Sequence, residues 1–277
     1  MKKVFGVLLT LVLCLGLVGC GGGSNDSSEG GDISGTISLN GSTSMEEFVN
    51  TLAEGIQQEY PNLTLEPQFT GSSAGIEAAI DGTADIGDSS RALTDDEKSQ
   101  GLVENVVAID GIAIVTHPDN AVDNLTTDQL VQIYTGQITN WSQVGGPDQE
   151  IVVIGREAGS GTRGAFEEIL GIEDQCAYAQ ELNETGAVKA RVAETAGAIG
   201  YVSFEALDDT VKALTLDDVA ISTDTIKDGS YTLQRPFVMA TKGEISEQSK
   251  AVQALFDYIN SEAGQKIIEQ CGLVSPN

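Results

Sequence analysis

Positive charge is scarce in this sequence. Its 277 residues carry 14 lysines and arginines against 42 aspartates and glutamates, which gives a formal net charge of −28 at pH 7. Nucleic-acid phosphates bind to basic surfaces, so this balance argues against nucleic acid as a partner. A surface this acidic also stays away from anionic lipid headgroups.

Histidine and cysteine are scarce as well. The single histidine, His117, ends an apolar run, and no Cys/His cluster or HExxH pattern is present. The sequence therefore predicts neither a catalytic metal nor a cofactor. Of four cysteines, two lie near the N-terminus; the others, Cys176 and Cys271, could form a disulfide in an exported protein or remain buried thiols.

Long apolar runs are limited to one, at the N-terminus. Lys2 and Lys3 precede the apolar residues 4–18, a pattern typical of a secretory signal over residues 1–19. The signal ends in Leu17-Val18-Gly19-Cys20, which resembles the bacterial lipobox, and residues 20–33 are rich in glycine, serine and acid. We expect lipid at Cys20, a flexible tether, and anchoring at the extracytoplasmic face of a cell membrane. An ordinary cleaved signal with an incidental cysteine is the alternative.

Strand-like and helix-like segments alternate along the rest of the chain, which predicts an α/β fold with sheets covered on both faces. "TISLNG" is a predicted strand, and the helix that follows has Ser44 as its N-cap with Glu47 three residues later, the pattern of a capping box. Thr126 or Thr127 should cap a later helix. The last stretch, from residue 246, predicts one or two amphipathic helices.

Three strand-to-helix junctions combine glycine with hydroxyl residues: "GSTS" from Gly41, "GSS" from Gly71 and "GSGT" from Gly159. The first turn of a helix has unpaired N–H groups and the positive end of the helix dipole, so such junctions can bind an anion. Arg156 adds a full positive charge just before the third junction. Each junction alone is more often a helix cap than a ligand site, but three of them beside an arginine favour an anion site.

Two enzymatic interpretations are weaker. Gly159, Gly161 and Gly164 fit the GxGxxG dinucleotide pattern, but the βαβ partner strand that should end in an acid is not evident. Ser160 lies in "AGSGT", which is not GxSxG, and no base is placed near it. We therefore predict a binding protein rather than an enzyme.

Five blocks of sequence, in order, resemble a known family: "GSTSMEEF", "GSSAGIEAAIDGTADIGDSSR", "LTTDQLVQIYTGQITNWSQVGG", "REAGSGTR" and "GAIGYVSFEAL". The chain resembles the PstS-like substrate-binding lipoproteins of phosphate ABC transporters, over nearly all of its length after residue 34. The resemblance implies a two-lobed type II periplasmic-binding-protein fold with a hinge and a central ligand cleft. The implied lobes are residues 34–112 with 238–277, and residues 113–237; the chain crosses between them near "DGIAIV" and "RPFVMA".

The same resemblance implies which residues hold the ligand. One lobe would contribute Ser44, the Met45 N–H, Ser72 and Ser90, and the other Arg156, Ser160, Gly161 and Thr162. Weaker candidates are Thr43, Ser73, Asp88 and Arg91. The implied function is capture of inorganic phosphate by a monomer and its delivery to a permease with a cytoplasmic ATPase.

The sequence departs from the family at Ser90. Well-known members have an aspartate there, which accepts the proton of phosphate and so rejects sulfate. Here Asp88, Glu46 or Asp110 could take that role, and Arg91 could add a second positive group or pair with Asp88. Another oxyanion, such as sulfate or molybdate, is therefore the alternative ligand.

Overall fold

The structure is a computed structural model that describes residues 33–276. The predicted signal sequence, the lipidation site at Cys20 and the tether up to residue 32 lie outside the described residues, so they stay predictions. Residues 33–276 belong to one compact unit. Within that range, no helix is long and apolar enough to cross a bilayer.

The described part of the chain contains twelve strands and nine α-helices. The strands are β1 (Ser34–Gly41), β2 (Asn62–Phe69), β3 (Ile86–Ser89), β4 (Leu102–Val103), β5 (Val106–Thr116), β6 (Asn124–Leu125), β7 (Val152–Arg156), β8 (Gln180–Leu182), β9 (Ala198–Ser203), β10 (Lys212–Ala213), β11 (Thr215–Leu216) and β12 (Gln234–Lys242). The helices are α1 (Glu46–Glu59), α2 (Ser72–Asp81), α3 (Asp95–Ser99), α4 (Thr127–Tyr134), α5 (Gly161–Leu170), α6 (Thr185–Glu194), α7 (Thr223–Lys227), α8 (Lys250–Asn260) and α9 (Glu262–Gln270). Short 3₁₀ turns occupy Trp141–Val144, Phe204–Ala206 and Ile245–Glu247.

One mixed sheet organises the fold, with strand order β2-β1-β3-β12-β5-β9-β7-β8. Strands β1, β2 and β3 are mutually parallel and form the first triad; β7, β8 and β9 are mutually parallel and form the second triad. Between the triads, β12 and β5 pair antiparallel with each other and with their neighbours. The predicted α/β class is confirmed.

Separate cores cover the two triads. Phe48, Leu52, Leu255 and Ile268, from α1, α8 and α9, are fully buried against the first triad because their apolar positions recur every three or four residues along the helix. The second core contains Trp141, Tyr134, Phe166 and Tyr201, with the Phe166 and Tyr201 rings stacked 4.3 Å apart.

The register brings the carboxyl ends of the triads together. Strand β3 lies beside the start of β5, since its Ser89 pairs with Val238, which pairs with Val106. Strand β9 runs antiparallel to β5 and ends at Ser203, opposite Ile112. The two triads therefore point at each other across the middle of β5. Loops that leave their carboxyl ends must converge, which is where ligands gather in α/β sheets.

Two local expectations have clear outcomes. Thr126 caps α4 in a capping box, as predicted. The capping box predicted at Ser44 is wrong: α1 begins at Glu46 with Met45 as its N-cap and no side-chain cap bond.

Cys176 and Cys271 are free thiols and lie in different cores, which excludes a disulfide between them in this structure.

Candidate functional site

The convergent loops form a buried ring of hydroxyl groups. From the first triad come Ser42, Thr43 and Ser44 after β1, Ser72 after β2, and Ser90 after β3; from the second come Thr162 at the start of α5 and Thr185 at the start of α6. All seven side chains are 6% exposed or less. Small polar side chains are buried together in this way only when they have hydrogen-bond partners.

The ring is connected directly across the two triads. Ser44 Oγ lies 2.6 Å from Thr162 Oγ1 and 2.9 Å from Thr185 Oγ1. Thr43 Oγ1 accepts the Thr185 N–H at 3.2 Å. Ser90 Oγ accepts from Ser42 Oγ at 2.8 Å and lies 3.5 Å from Thr162 Oγ1. The hydroxyls of both triads thus share one small volume.

Ser44 explains why the predicted capping box is wrong. A capping serine directs its oxygen to the backbone of its own helix. Here the Ser44 hydroxyl is engaged by Thr162 and Thr185, which are more than a hundred residues away in sequence. The Ser44 hydroxyl, which the local sequence pattern assigns to the N-cap of α1, therefore makes tertiary contacts instead.

Arg156 supplies the positive charge at this ring. It ends β7, is 2% exposed, and donates to the carbonyls of Leu182 and Asn183 and to Thr185 Oγ1. All three acceptors are uncharged. Burial lowers the pKa of Arg156 to about 10, so the guanidinium keeps its proton at pH 7. A buried cation without a carboxylate partner is a strong attractor for an anion.

The remaining predicted donors take local roles. Ser160 Oγ accepts the Arg163 N–H and caps α5, and the Met45 N–H donates to the Ser42 carbonyl. Ser73 is exposed, although its N–H donates to the Gly159 carbonyl across the two triads. Binding roles for these three residues stay predictions.

Gly161 lies where the two triads pack closely against each other in the ring. A Cβ there would lie 2.3 Å from Ser72 Oγ and 2.9 Å from Ser90 Oγ, closer than real Cβ contacts allow. Glycine at this position is therefore a steric requirement for the closed arrangement of the ring.

Gly161→Ala should force the α5 start away from Ser72 and Ser90. We expect it to weaken binding of a tetrahedral oxyanion such as phosphate by about tenfold or more, since overpacking costs about 1–3 kcal/mol. Gly186→Ala is the matched control, because Gly186 lies in α6 beside the ring and its added Cβ would meet nothing within 4 Å. Calorimetric titration measures both variants; equal affinity in Gly161→Ala and Gly186→Ala would contradict the steric role.

Of the predicted proton acceptors, Asp110 and Glu46 make no hydrogen bond to the hydroxyls of the ring in the described part of the chain. Asp110 is fully buried but accepts from Arg235 Nε and Nη2, Ser203 Oγ and the Phe204 N–H, at 2.9–3.2 Å. Glu46 is exposed in the first turn of α1. Arg91 donates to both oxygens of Glu97 at 2.7 and 2.9 Å, so the alternative in which it pairs with Asp88 is wrong.

Asp88 is the remaining acidic candidate, and its environment is unusual. It is 0% exposed in β3, and neither carboxyl oxygen has a hydrogen-bond partner in the described part of the chain. Burial raises the pKa of Asp88 well above its ordinary value, so the neutral acid is favoured. Asp88 makes no hydrogen bond to the ring hydroxyls.

This environment predicts a pH-dependent stability. An acid whose pKa is raised on folding binds more protons when folded, so the free energy of unfolding falls as pH rises from the unfolded pKa of about 3.9 towards the folded pKa. Asp88→Asn removes this loss of stability. We expect the free energy of unfolding of the variant to equal that of the wild type near pH 4 and to exceed it at pH 8. The gap should grow by at most about 1.4 kcal/mol per pH unit. Urea unfolding at pH 4, 6 and 8 measures this, with exposed Asp81→Asn as control; pH curves parallel to the wild type would contradict the assignment.

Sequence reasoning missed two members of the ring, Ser42 and Thr185. Ser42 lies inside a junction that was recognised, but the donors predicted there were Ser44 and the Met45 N–H, with Thr43 as a weaker candidate. Thr185 belongs to a fourth junction, "ETGAV", which also combines a hydroxyl with glycine where a helix begins. The same criterion would have found it.

Comparisons with known proteins show the family and the fold of the chain. A family model of the PBP superfamily domain matches residues 26–263. The chain is 34% identical to the phosphate-binding protein PstS of Bacillus subtilis, over 88% of this chain and 82% of that protein, and 27% identical to PstS of Borreliella burgdorferi over 99% of both. It is similar to the crystal structure of a Clostridium perfringens phosphate ABC transporter substrate-binding protein with bound phosphate (TM-score 0.84, 39% identity, 88% of this chain and all of that one). An ABC-type phosphate transport receptor from Vibrio cholerae has a TM-score of 0.72 and 37% identity, over 87% of this chain and all of that one.

Proposed function

The chain belongs to the PBP superfamily and, within it, to the PstS-like phosphate-binding proteins, and from this premise we propose that it captures inorganic phosphate at the hydroxyl ring. One observation carries the proposal: the Arg156 guanidinium is buried against three uncharged acceptors, beside hydroxyls from both triads. Among the described residues, no carboxylate forms a salt bridge with it; Glu157 and Glu184 act on its charge only from beyond that distance, so a bound anion would be its direct partner.

The chemistry required is binding alone. A tetrahedral oxyanion offers lone pairs in several directions, and the ring offers O–H groups, the N–H groups of helix starts and one planar guanidinium. The net charge of −28 does not oppose this, because distant charges are screened within roughly 8–10 Å in physiological salt. No bond is made or broken, so the protein acts as a receptor.

We propose that closure of the two triads around β5 and β12 traps the anion. These two strands join the two cores, and the triads meet at the ring through hydrogen bonds that an opening motion would break. Lobes formed by residues 34–112 with 238–277, and by residues 113–237, would then rotate as rigid bodies in a hinge motion.

Delivery to an ABC permease with its ATPase is the proposed next step, carried out by a monomer anchored outside the cytoplasm through lipid on Cys20. The names of the relatives and the lipobox-like segment before Cys20 support this. The acid-rich residues 21–33 would give the receptor reach from the membrane to the permease.

A second oxyanion, sulfate or molybdate, is favoured by one feature of the ring. Its side chains are hydroxyls and one guanidinium, and the position of Ser90 carries no carboxylate. A carboxylate would repel a fully deprotonated anion, whereas a hydroxyl can donate to it. Discrimination against sulfate must therefore come from hydroxyl acceptors or from Asp88.

Calorimetry on the purified protein tests the proposal. We expect one phosphate per chain with micromolar or tighter affinity, and no turnover of a chromogenic phosphate ester. Sulfate competition at pH 5.5 and 8 separates the two ligands, because phosphate changes its protonation near neutrality and sulfate does not. If calorimetry detects no heat of binding with phosphate, the phosphate proposal is refuted. Tighter binding of sulfate or molybdate than of phosphate would favour the alternative ligand.

A further inference from the structure

The segment after β8 encloses the Arg156 guanidinium on one side. Strands β7 and β8 pair in parallel, with Arg156 opposite Leu182. Three of its nitrogens then reach three acceptors within four residues: Nε to the Leu182 carbonyl at 3.2 Å, Nη2 to the Asn183 carbonyl at 3.0 Å, and Nη1 to Thr185 Oγ1 at 3.0 Å. The plane of the guanidinium is fixed by this segment.

Thr185 is the only one of these acceptors whose side chain makes the contact. Its Oγ1 also lies 2.9 Å from Ser44 Oγ and 3.2 Å from Thr43 Oγ1. A hydroxyl has one proton and two lone pairs, so accepting from Arg156 directs the Thr185 proton towards the first triad. Thr185 thus connects the Arg156 guanidinium, which belongs to the second triad, with the hydroxyls of Thr43 and Ser44 in the first triad.

Helix formation does not explain this hydroxyl. The N-cap of α6 is Glu184, which makes no side-chain cap bond, and Thr185 is the first helical residue. Thr185 is 2% exposed, and valine has nearly the same shape without the polar atom. A buried hydroxyl costs free energy unless it is hydrogen-bonded. The hydrogen bonds of Thr185 therefore explain why a threonine rather than a valine occupies this position.

We propose that Thr185 is a positioning residue of the anion site: it holds the Arg156 guanidinium in place and links it to Ser44 across the two triads. This inference rests on the proposed function. Without the Thr185 hydroxyl, Nη1 of Arg156 would lose its acceptor and the guanidinium could turn away from the ring. Thr43 and Ser44 would lose their contact with the second triad at the same point.

Two substitutions at Thr185 test this by calorimetry with phosphate. Thr185→Val should weaken binding by about 10- to 100-fold, the size expected when a hydrogen bond to a charged group is lost. Thr185→Ser, which keeps the hydroxyl, should stay within about threefold of the wild type. The matched control is Thr241→Val: Thr241 is also fully buried and its hydroxyl is hydrogen-bonded, but to Gly243 and Asn105 away from the ring. It should leave the affinity unchanged.

A double-mutant cycle separates positioning from general damage to the fold. In an Arg156→Lys background the planar guanidinium is gone, so Thr185→Val should cost less than about threefold further. Full additivity of the two losses would overturn the inference, as would wild-type affinity in Thr185→Val.

Side-chain NMR of Arg156 gives a readout that does not depend on phosphate. In the wild type, rotation of the guanidinium about its Nε–Cζ bond should be slow, and in Thr185→Val it should be faster, because only the Leu182 and Asn183 carbonyls remain as acceptors. If the wild type binds no phosphate but Thr185→Val frees the guanidinium, the proposed function fails while the positioning role stands. Equal rotation in both proteins would overturn the positioning role whatever the protein binds.

Discussion

Arg156→Ala is expected to weaken phosphate binding by about 30-fold to several thousand-fold, which corresponds to about 2–5 kcal/mol. Arg156 is the one full positive charge that the structure buries at the ring without a carboxylate partner. Alanine removes this charge and leaves the Thr185 hydroxyl and two backbone carbonyls without their donor. The anion would then have to be held by hydroxyl and N–H groups alone.

Arg156→Lys refines the prediction. Lysine keeps the charge but not the planar fork, so it cannot satisfy the acceptors at Leu182, Asn183 and Thr185 together. We expect an intermediate loss of affinity, smaller than that of alanine. Calorimetry would measure the series.

Arg91→Ala is the matched control for the loss of a guanidinium. Arg91 also lies near the ring in sequence, directly after Ser90, but it donates to Glu97 through both terminal nitrogens. Its replacement should change phosphate affinity by less than about threefold. If Arg91→Ala were as damaging as Arg156→Ala, or if Arg156→Ala bound phosphate normally, the assignment of the anion site would be wrong.

Asp110→Ala is expected to have the largest effect on stability. Asp110 and Arg235 form an ion pair at 2.9 Å in the middle of the sheet, with side chains 0% and 1% exposed. The substitution leaves a buried guanidinium, the Ser203 hydroxyl and the Phe204 N–H without their acceptor. Breaking such a pair costs about 3–5 kcal/mol, a large part of the about 5–15 kcal/mol that stabilises an ordinary domain.

Two further variants show whether the loss comes from burial of the charge. Lys266→Ala breaks an exposed pair of similar length, Lys266–Glu262 at 2.7 Å, and should cost about 0.5 kcal/mol or less. Replacing both buried partners, Asp110→Leu with Arg235→Met, should recover part of the stability lost in Asp110→Ala. Urea unfolding gives all three values; a loss below about 1 kcal/mol in Asp110→Ala would contradict the prediction.

The sequence predicted which loops come together because these loops are strand-to-helix junctions. Glycine with serine or threonine at such a junction is a local signal, readable without a structure, and it singled out the three junctions that contain Ser44, Ser72, Gly161 and Thr162. Arg156 was found because it directly precedes one junction. The parallel order of β1, β2 and β3 then brings their loops together by geometry alone.

Predictions about individual partners were less successful, since a partner depends on which other element arrives nearby. Ser44 has the sequence pattern of a helix cap, yet its hydroxyl is used by Thr162 and Thr185. Arg91 pairs with Glu97 rather than Asp88, because α3 forms in a polar stretch where no helix was predicted. Thr185 was overlooked although its junction resembles the other three.

By itself, the sequence determined the α/β class, the acidic net charge and the junction loops that combine glycine with hydroxyl residues. These properties depend on composition and on neighbours within a few residues, where backbone geometry is local. Only the tertiary structure decided which hydroxyls meet, that Arg156 has uncharged acceptors, and that Asp88 is buried without a partner. Such pairings join residues far apart in sequence, so they depend on the packing of the two triads against each other, which no local pattern encodes.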